Sequence, residues 1–311
     1  MASAVFGQDQ QINVRTALKR AAVTYRPGRY TVKVLMSMFL GLVQGITEFL
    51  PISSSGHLSI LQNLLNLDYS EEGNLLFDVL LHLGTLVSIC AVYRLEIKAM
   101  IADGIEYLRK RAESDQDEPV VLKPPGRALL FVIVGTIPMF VAVIFMKSVS
   151  RLFANTGFIG FALIITGCLL FVSNRFMQKG NKTEKSMTVG DAIIIGIAQA
   201  IAIIPGLSRS GTTITVGLSR GLAGAFAVRF SLLLSIPAVI GSMLVTLYQA
   251  IRGGADFSLF PVYLAGFVIA AVVGFFAIQI IRRLMNKGKF SSFAYYCWGI
   301  GALTLILSLV L

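Results

Sequence analysis

The chain has 311 residues, 55% of them hydrophobic and only 14% charged, with a mean hydropathy of +0.77. Those proportions exclude an ordinary soluble domain and define an integral membrane protein. The formal charge of +11 is no argument for a nucleic-acid partner, because the basic residues fall in connecting segments, where they orient a chain in a bilayer.

Residues 1–33 read as a basic tail carrying Arg15, Lys19, Arg20, Arg26, Arg29 and Lys33, either with a short amphipathic helix around Val14–Val23 or without fixed structure. No short apolar region with a small-residue cleavage site precedes the first apolar segment, so that segment is expected to remain in the mature protein. Runs near the roughly 20 apolar residues that a bilayer core requires occur at Leu75–Tyr93, Ala128–Met146, Gly157–Phe176, Ala225–Ala250, Phe260–Ile281 and Ala294–Leu311. All of these are expected to span. Two more apolar regions, Val34–Leu67 and Val189–Leu222, are interrupted by Pro, Gly and Ser, and read as broken or re-entrant segments. Between Arg94 and Arg127 lie seven basic and seven acidic residues, a water-exposed polar loop whose helical character ends at "DQDEP" and "PPG". Cys90, Cys168 and Cys297 sit inside apolar spans without CxxC spacing, and read as packing residues rather than disulfide or zinc ligands.

The two interrupted regions match each other. "GLVQGITEFLPISSSG" from Gly41 and "GIAQAIAIIPGLSRSG" from Gly196 align at an offset of 155 residues, pairing Gln44 with Gln199, Ser53 with Ser208, Ser55 with Ser210 and Gly56 with Gly211, while the proline slips by one. The fold class that follows is an all-α integral membrane protein of two repeats, 34–176 and 189–311, each a re-entrant broken helix plus three transmembrane helices. An odd number of spans inverts the second copy, so the broken segments enter from opposite faces and meet near the midplane. Basic loops at Arg94–Arg127, Arg175–Lys185 and Arg282–Lys289 place those connections in the cytoplasm; the basic tail dissents, since this arrangement puts it outside.

Gln44 and Glu48 are four apart on one helix face. Pro51 ends that helix, Ser53, Ser54 and Ser55 are cap-type residues, and a second half-helix starts near Gly56 with His57 in its first turn. The second copy reads "PGLSRSGTT": Pro205 and Gly206 break the chain, and Ser208, Arg209, Ser210, Gly211, Thr212 and Thr213 open another half-helix. Two helix N-termini aimed at one place, flanked by hydroxyls and a guanidinium, make a phosphate pocket. A structural ion pair between Glu48 and Arg209 is the blander reading, but it leaves the hydroxyl clusters unexplained. His57, beside Ser54, Glu48 and Arg209, reads as a general acid, a general base or a nucleophile. Asp78 and His82, also four apart, are expected to bond each other or a neighbouring helix.

These residues resemble a known family. "QGITEFLPISSSGH" is similar to the (E/Q)xxxE-plus-histidine signature of the bacterial undecaprenyl-diphosphate phosphatases, the bacitracin-resistance family, and "PGLSRSGTT" to its PGxSRSxxT signature; "FDVLLHLGTL" and "RFSLLLSIPAVIG" fit its downstream helices. The resemblance covers residues 34–311. It implies an inner-membrane enzyme that removes the terminal phosphate of a polyprenyl diphosphate lipid and so recycles the carrier for wall synthesis. It further implies catalytic Glu48 and His57, Ser54 as a nucleophile, Arg209 as the phosphate clamp, and Ser208, Ser210 and Thr213 in the pocket wall, joined by Gln44, Ser53, Ser55, Gly206 and Gly211. A divalent cation, Mg2+ or Ca2+, is implied as cofactor, with Glu48 as its carboxylate ligand, since Gln44 stands where the family can carry a second one. Membrane lipid is the surrounding partner, and the sequence admits a homodimer. Two rivals remain open. The type 2 phosphatidic acid phosphatases share "SSGH" and Ser208-Arg209, but their later histidine and aspartate are Thr215 and Ser219 here, and the proline of their PSGH is Ser54. A lipid-phosphate or ion transporter could use the same inverted-repeat architecture.

Overall fold

The computed structural model describes residues 27–64, 71–113, 121–177, 179–253 and 257–310. Among them no β-strand is present; apart from turns, short linkers and one isolated bridge between Lys182 and Leu222, the described residues are helical.

Helix α1 spans Pro27–Phe49, with proline at its first position, where the missing N–H costs nothing. It therefore starts inside the expected tail and shifts the boundary at residue 33; the amphipathic helix expected at Val14–Val23 lies outside the described residues. Its Tyr30–Phe49 portion is long and apolar enough to cross a membrane, rather than being the expected half-helix. The reason is the outward-facing series Val32, Leu35, Phe39, Leu42 and Ile46, which extends the lipid-compatible surface back to the helix start. After a four-residue break comes α2, Ser54–Leu64, and then α3, Glu71–Val92.

Helix α4, Arg94–Glu113, occupies most of the expected polar loop and is bent 76° from α3. Ion pairs at helical spacing, Lys110–Glu106 and Arg109–Glu113, support it. Asp103 fastens it to the next helix by accepting from the Gly126 N–H at 2.9 Å. Ile101, Ile105 and Leu108 point outward from one face, a split that fits the bilayer–water boundary better than open water.

The remaining helices are α5 (Pro124–Ile144), the short α6 (Met146–Ser150), α7 (Thr156–Ser173), α8 (Val189–Ile201), α9 (Arg209–Ser219), α10 (Gly224–Arg252), α11 (Phe260–Asn286) and α12 (Phe293–Val310). Five expected spans are recovered as α5, α7, α10, α11 and α12, each long and apolar enough to cross; the expected Leu75–Tyr93 span is helical as α3 but reaches that measure only together with the bent α4. Helix α8 has 13 residues and is about 20 Å long at 1.5 Å per residue, well short of a bilayer core. Thus α8 and α9 are the two arms of a broken segment.

Glycines set the closest helix crossings. Gly41 of α1 lies against the backbone of Gly266 in α11, and Gly196 of α8 against Gly135 in α5; a Cβ at Gly196 would collide with the Gly135 carbonyl. Gly41 and Gly196 are repeat equivalents, so the same device seats both broken segments. Ser37, midway along α1, donates to the carbonyl of Val262, early in α11, at 2.8 Å, and Gly45 packs farther along on Ala270 and Gly274. Helices α1 and α11 therefore run in the same direction. So do α8 and α5, since Arg127 donates to the Met187 carbonyl at 3.2 Å near both starts and Gly196 meets Gly135 beyond.

One buried carboxylate closes the open end of the second hairpin. Asp191, at the third position of α8, shares a capping box with Thr188 and has a fully buried side chain. Its Oδ1 accepts from Arg220 Nε at 2.9 Å, at the end of α9, and its Oδ2 from Lys182 Nζ at 3.0 Å. Main-chain bonds from Lys182 N–H to the Gly221 carbonyl (3.0 Å) and from Ala223 N–H to the Lys182 carbonyl (2.9 Å) tie the linker to the same place. Asp191→Ala should destabilise the fold by about 2–3 kcal/mol, the low end for a broken buried pair because both cations can turn to water; a thermal unfolding midpoint in detergent equal to that of the parent protein would contradict this.

Candidate active site

Helix α1 carries Gln44 and Glu48 on one face and stops at Phe49, ahead of Pro51. The chain then reverses at Ser53, whose φ of 70° is the left-handed conformation, costing a residue with a Cβ about 1 kcal/mol. Ser53 caps α2 by accepting from the Gly56 N–H at 3.2 Å. In the second hairpin the left-handed position is Gly206, φ 92°, where a Cβ would lie 2.6 Å from the Ile159 carbonyl oxygen. Ser208 then caps α9 by accepting from the Gly211 N–H at 3.0 Å. The hydroxyl pairs Ser53–Ser55 (3.4 Å) and Ser208–Ser210 (3.3 Å) repeat the correspondence. Thr166 of α7 bridges the second break, donating to the Gly206 carbonyl at 2.9 Å and accepting from the Ser208 N–H at 3.1 Å.

The two breaks meet. A Cβ at Gly56 would be 3.2 Å from the Gly206 Cα, and Ser210 Oγ donates to the Leu50 carbonyl at 3.3 Å. At the junction the buried Glu48 carboxylate collects three partners. Its Oε1 takes a short charge-assisted bond from Arg209 Nη2, and its Oε2 accepts from Ser54 Oγ at 2.6 Å and from Gln44 Nε2 at 3.1 Å. His82 of α3 is close enough to interact with the same charge.

His57 is placed differently from the expectation. Nδ1 is 2.8 Å from the Ser53 carbonyl oxygen and Nε2 is 2.9 Å from the Tyr296 hydroxyl of α12, so its ring nitrogens engage neither Glu48 nor Ser54. Thr213 is turned away from the junction: its hydroxyl bonds the Arg209 carbonyl at 2.8 Å and the Ser231 hydroxyl at 2.6 Å, locking α9 against α10. The amide groups of Gly56 and Gly211 are taken by serine caps, so the N–H groups at the first two positions of each helix, Ser54–Ser55 and Arg209–Ser210, are those without an intrahelical acceptor. Asp78 and His82 are linked through main chain, His82 Nδ1–H donating to the Asp78 carbonyl at 2.8 Å, while the Asp78 carboxylate accepts from Gln62 at 3.3 Å. Of the cysteines, only Cys297 is buried, its thiol donating to the Pro51 carbonyl at 3.7 Å; Cys90 and Cys168 are exposed on the helix surface instead of packed.

Tyr296 has no counterpart in the sequence expectations, because a tyrosine in an apolar helix is indistinguishable from an interfacial aromatic. Among the described residues no group of three or more His, Cys, Asp or Glu gathers as a metal cage. The junction nonetheless offers hard oxygen donors: the Glu48 carboxylate and Gln44 Oε1, which is buried without a hydrogen-bond partner.

Two broken helical segments thus bring one carboxylate, one guanidinium and a serine hydroxyl together inside a polytopic membrane protein. The family is identified by comparison: residues 37–303 match the model of bacitracin resistance protein BacA, and the chain belongs to that family. It is 39% identical over 275 residues to an undecaprenyl-diphosphatase of Carboxydothermus hydrogenoformans, covering 87% of this chain and 96% of that one. An undecaprenyl-diphosphatase of Methanosphaera stadtmanae is 38% identical over 289 residues, 89% of this chain and 99% of that one, and undecaprenyl-diphosphatase 1 of Shouchella clausii is 38% identical over 280 residues, 88% and 96%.

The Glu48–Arg209 contact should behave as a coupled pair. Glu48→Gln and Arg209→Gln should each destabilise the protein, and the double variant should lose less than the sum, with a coupling of about 2 kcal/mol. Additive effects in a double-mutant cycle read by unfolding in detergent would show that the two groups do not depend on each other.

Proposed function

We propose that this protein is a membrane phosphatase that hydrolyses undecaprenyl diphosphate to the monophosphate and phosphate, returning the lipid carrier for cell-wall synthesis and conferring bacitracin resistance. It is a multi-pass protein of the bacterial inner membrane. The observation that carries the site assignment is the convergence of Ser54 and Arg209, one from each broken segment, on the single carboxylate of Glu48. We further propose that the two halves are inverted copies; supporting this, α1 runs alongside α11 and α8 alongside α5, each pair in the same direction and each seated by the equivalent glycine.

In this reading Arg209 takes the terminal phosphate oxygens in its planar fork, assisted by the N–H groups at the starts of α2 and α9. Glu48 is the general base for Ser54, which already donates its hydroxyl hydrogen to Oε2 at 2.6 Å. The Ser54 oxygen attacks the terminal phosphorus, the lipid monophosphate leaves, and water then releases phosphate from Ser54. His57, whose ring nitrogens are engaged elsewhere, handles a proton on the leaving-group or water side rather than activating Ser54. Glu48 and Gln44 Oε1 fit a magnesium or calcium ion that takes its other ligands from phosphate oxygens and water. When bound, such an ion neutralises phosphate charge. The pocket is expected to open to the outer side.

Phosphate release from undecaprenyl diphosphate by detergent-purified protein tests the reading, since there are no two sides for a carrier to work between. Release should require divalent cation and fall about a hundredfold or more in Arg209→Ala and Ser54→Ala. Near-normal turnover in Arg209→Ala, or lipid translocation in vesicles without any phosphate release, would end it.

A further inference from the structure

The environment of His57 fixes which ring nitrogen works. Nδ1 faces the Ser53 carbonyl oxygen at 2.8 Å. A carbonyl only accepts, so Nδ1 keeps its hydrogen in the neutral ring and in the charged one alike. The position that gains and loses a proton is therefore Nε2, and the group at 2.9 Å from it is the Tyr296 hydroxyl. The two rings also lie nearly parallel, 9° apart in plane with centroids separated by 5.7 Å.

Tyr296 is held there by more than this bond. Its neighbour Cys297 is buried and contacts the Pro51 carbonyl in the first break, and α12 is seated on α7 where Gly301 and Gly160 cross at backbone contact. Helix α12 thus grips the first hairpin at the break and at the first turn of α2, and the hydroxyl is delivered by a packed element rather than a loop.

We propose that Tyr296 serves His57 as a positioning and relay residue: with the Ser53 carbonyl fixing the Nδ1–H tautomer, its hydroxyl fills the Nε2 lone pair and is the group through which Nε2 takes up and returns a proton during turnover. This rests on the reading of His57 as an acid or base in diphosphate hydrolysis. In the neutral ring the Tyr296 O–H donates to the Nε2 lone pair. Because the phenol fills the Nε2 lone pair, a proton reaches Nε2 through it: the Tyr296 O–H bond breaks as an Nε2–H bond forms, and the phenol oxygen takes a proton from the reacting water as that water's O–H bond breaks. The reverse transfer returns the proton to an oxygen of the inorganic phosphate as it departs. Tyr296 ends each transfer with one proton, as it began.

Tyr296→Phe keeps the ring stack and removes only the oxygen, at a side chain that is partly exposed, so it isolates the hydroxyl from packing. The chain has two histidines, so 15N-histidine labelling of the protein in detergent micelles resolves His57 by comparison with His57→Gln. The parent protein and Tyr296→Phe should both show neutral His57 protonated at Nδ1, with the Nε2 resonance displaced in the variant by loss of the phenol hydrogen bond. In the phosphate-release assay, kcat should fall about tenfold, the worth of one hydrogen bond, with KM changed by less than about twofold and the pH profile displaced. Tyr296→Leu should cost little more than Tyr296→Phe. A parent ring protonated at Nε2 alone, or Tyr296→Phe with an unchanged Nε2 resonance and unchanged kcat, overturns the proposal. A displaced Nε2 resonance with unchanged kcat also overturns its catalytic part. Full activity in His57→Gln instead removes the role given to His57, a failure the resting-state spectra distinguish from loss of the Tyr296 contact.

Discussion

The buried pairing of Glu48 with Arg209 is the constraint around which the rest is arranged. Either charge alone inside a membrane costs roughly 2.5–3.5 kcal/mol on insertion scales. The residues are 161 positions apart and belong to different halves, so neither charge is compensated until both broken segments are docked. The pair is also incompletely insulated, since Arg209 keeps about a quarter of its side chain accessible while Glu48 is almost wholly covered. Under the proposed mechanism an arriving phosphate meets the guanidinium first, and it offers Arg209 a better-matched acceptor than a single carboxylate oxygen does. Glu48 retains Ser54 and Gln44 through that exchange, because those bonds use its other oxygen.

Holding two chain breaks at this depth demands that every freed polar group find a partner. Serine caps satisfy the third N–H of each short helix, and Thr166 reaches from α7 to serve both sides of the second break. Where the chain must approach most closely, side chains are absent: Gly206 lies against the Ile159 carbonyl, and Gly41 and Gly196 let whole helices touch backbone to backbone. Ser53 is the exception. It occupies the left-handed region without being glycine, and its hydroxyl is needed for the α2 cap, so the backbone cost is offset by a hydrogen bond that glycine could not make.

What the sequence revealed follows from which interactions leave a local trace. Spans α5, α7, α10, α11 and α12 were legible because a run of apolar residues is sufficient for them. Gln44, Glu48, Ser54 and Arg209 were legible because polar residues at membrane depth are costly, and because the offset of 155 residues places Ser54 on Arg209 and Gln44 on Gln199. Helix α4 was misread as a loop since its acidic and basic residues, counted together, look like solvent-exposed chain; only their spacing of four, as in Glu106–Lys110, reveals a helix. Full-length α1 was hidden by a polar start that the outward-facing Val32 and Leu35 override. Thr213 looked like pocket lining because its own motif gives no hint of Ser231, and Tyr296 left no trace at all, since its contact with His57 is 239 residues distant.

The repeat also explains where the chemistry is concentrated. At the shared offset the two hairpins have the same scaffold of caps, hydroxyl pairs and crossing glycines, but Ser54 corresponds to Arg209, Glu48 to Ile203 and His57 to Thr212. The first half thus supplies the hydroxyl, the carboxylate and the imidazole, and the second half supplies the cation. Gln44 and Gln199 record this divergence. Gln44 Nε2 donates to Glu48 one turn along, whereas Gln199, equally buried, has Ile203 in that position and leaves both amide atoms without a hydrogen-bond partner among the described residues. An amide kept at that depth without its acceptor is a cost with no structural return in its own half. The two hairpins thus share one shape while the buried carboxylate belongs to the first alone, and under the proposed mechanism the carboxylate is a property of one half while the pocket belongs to both.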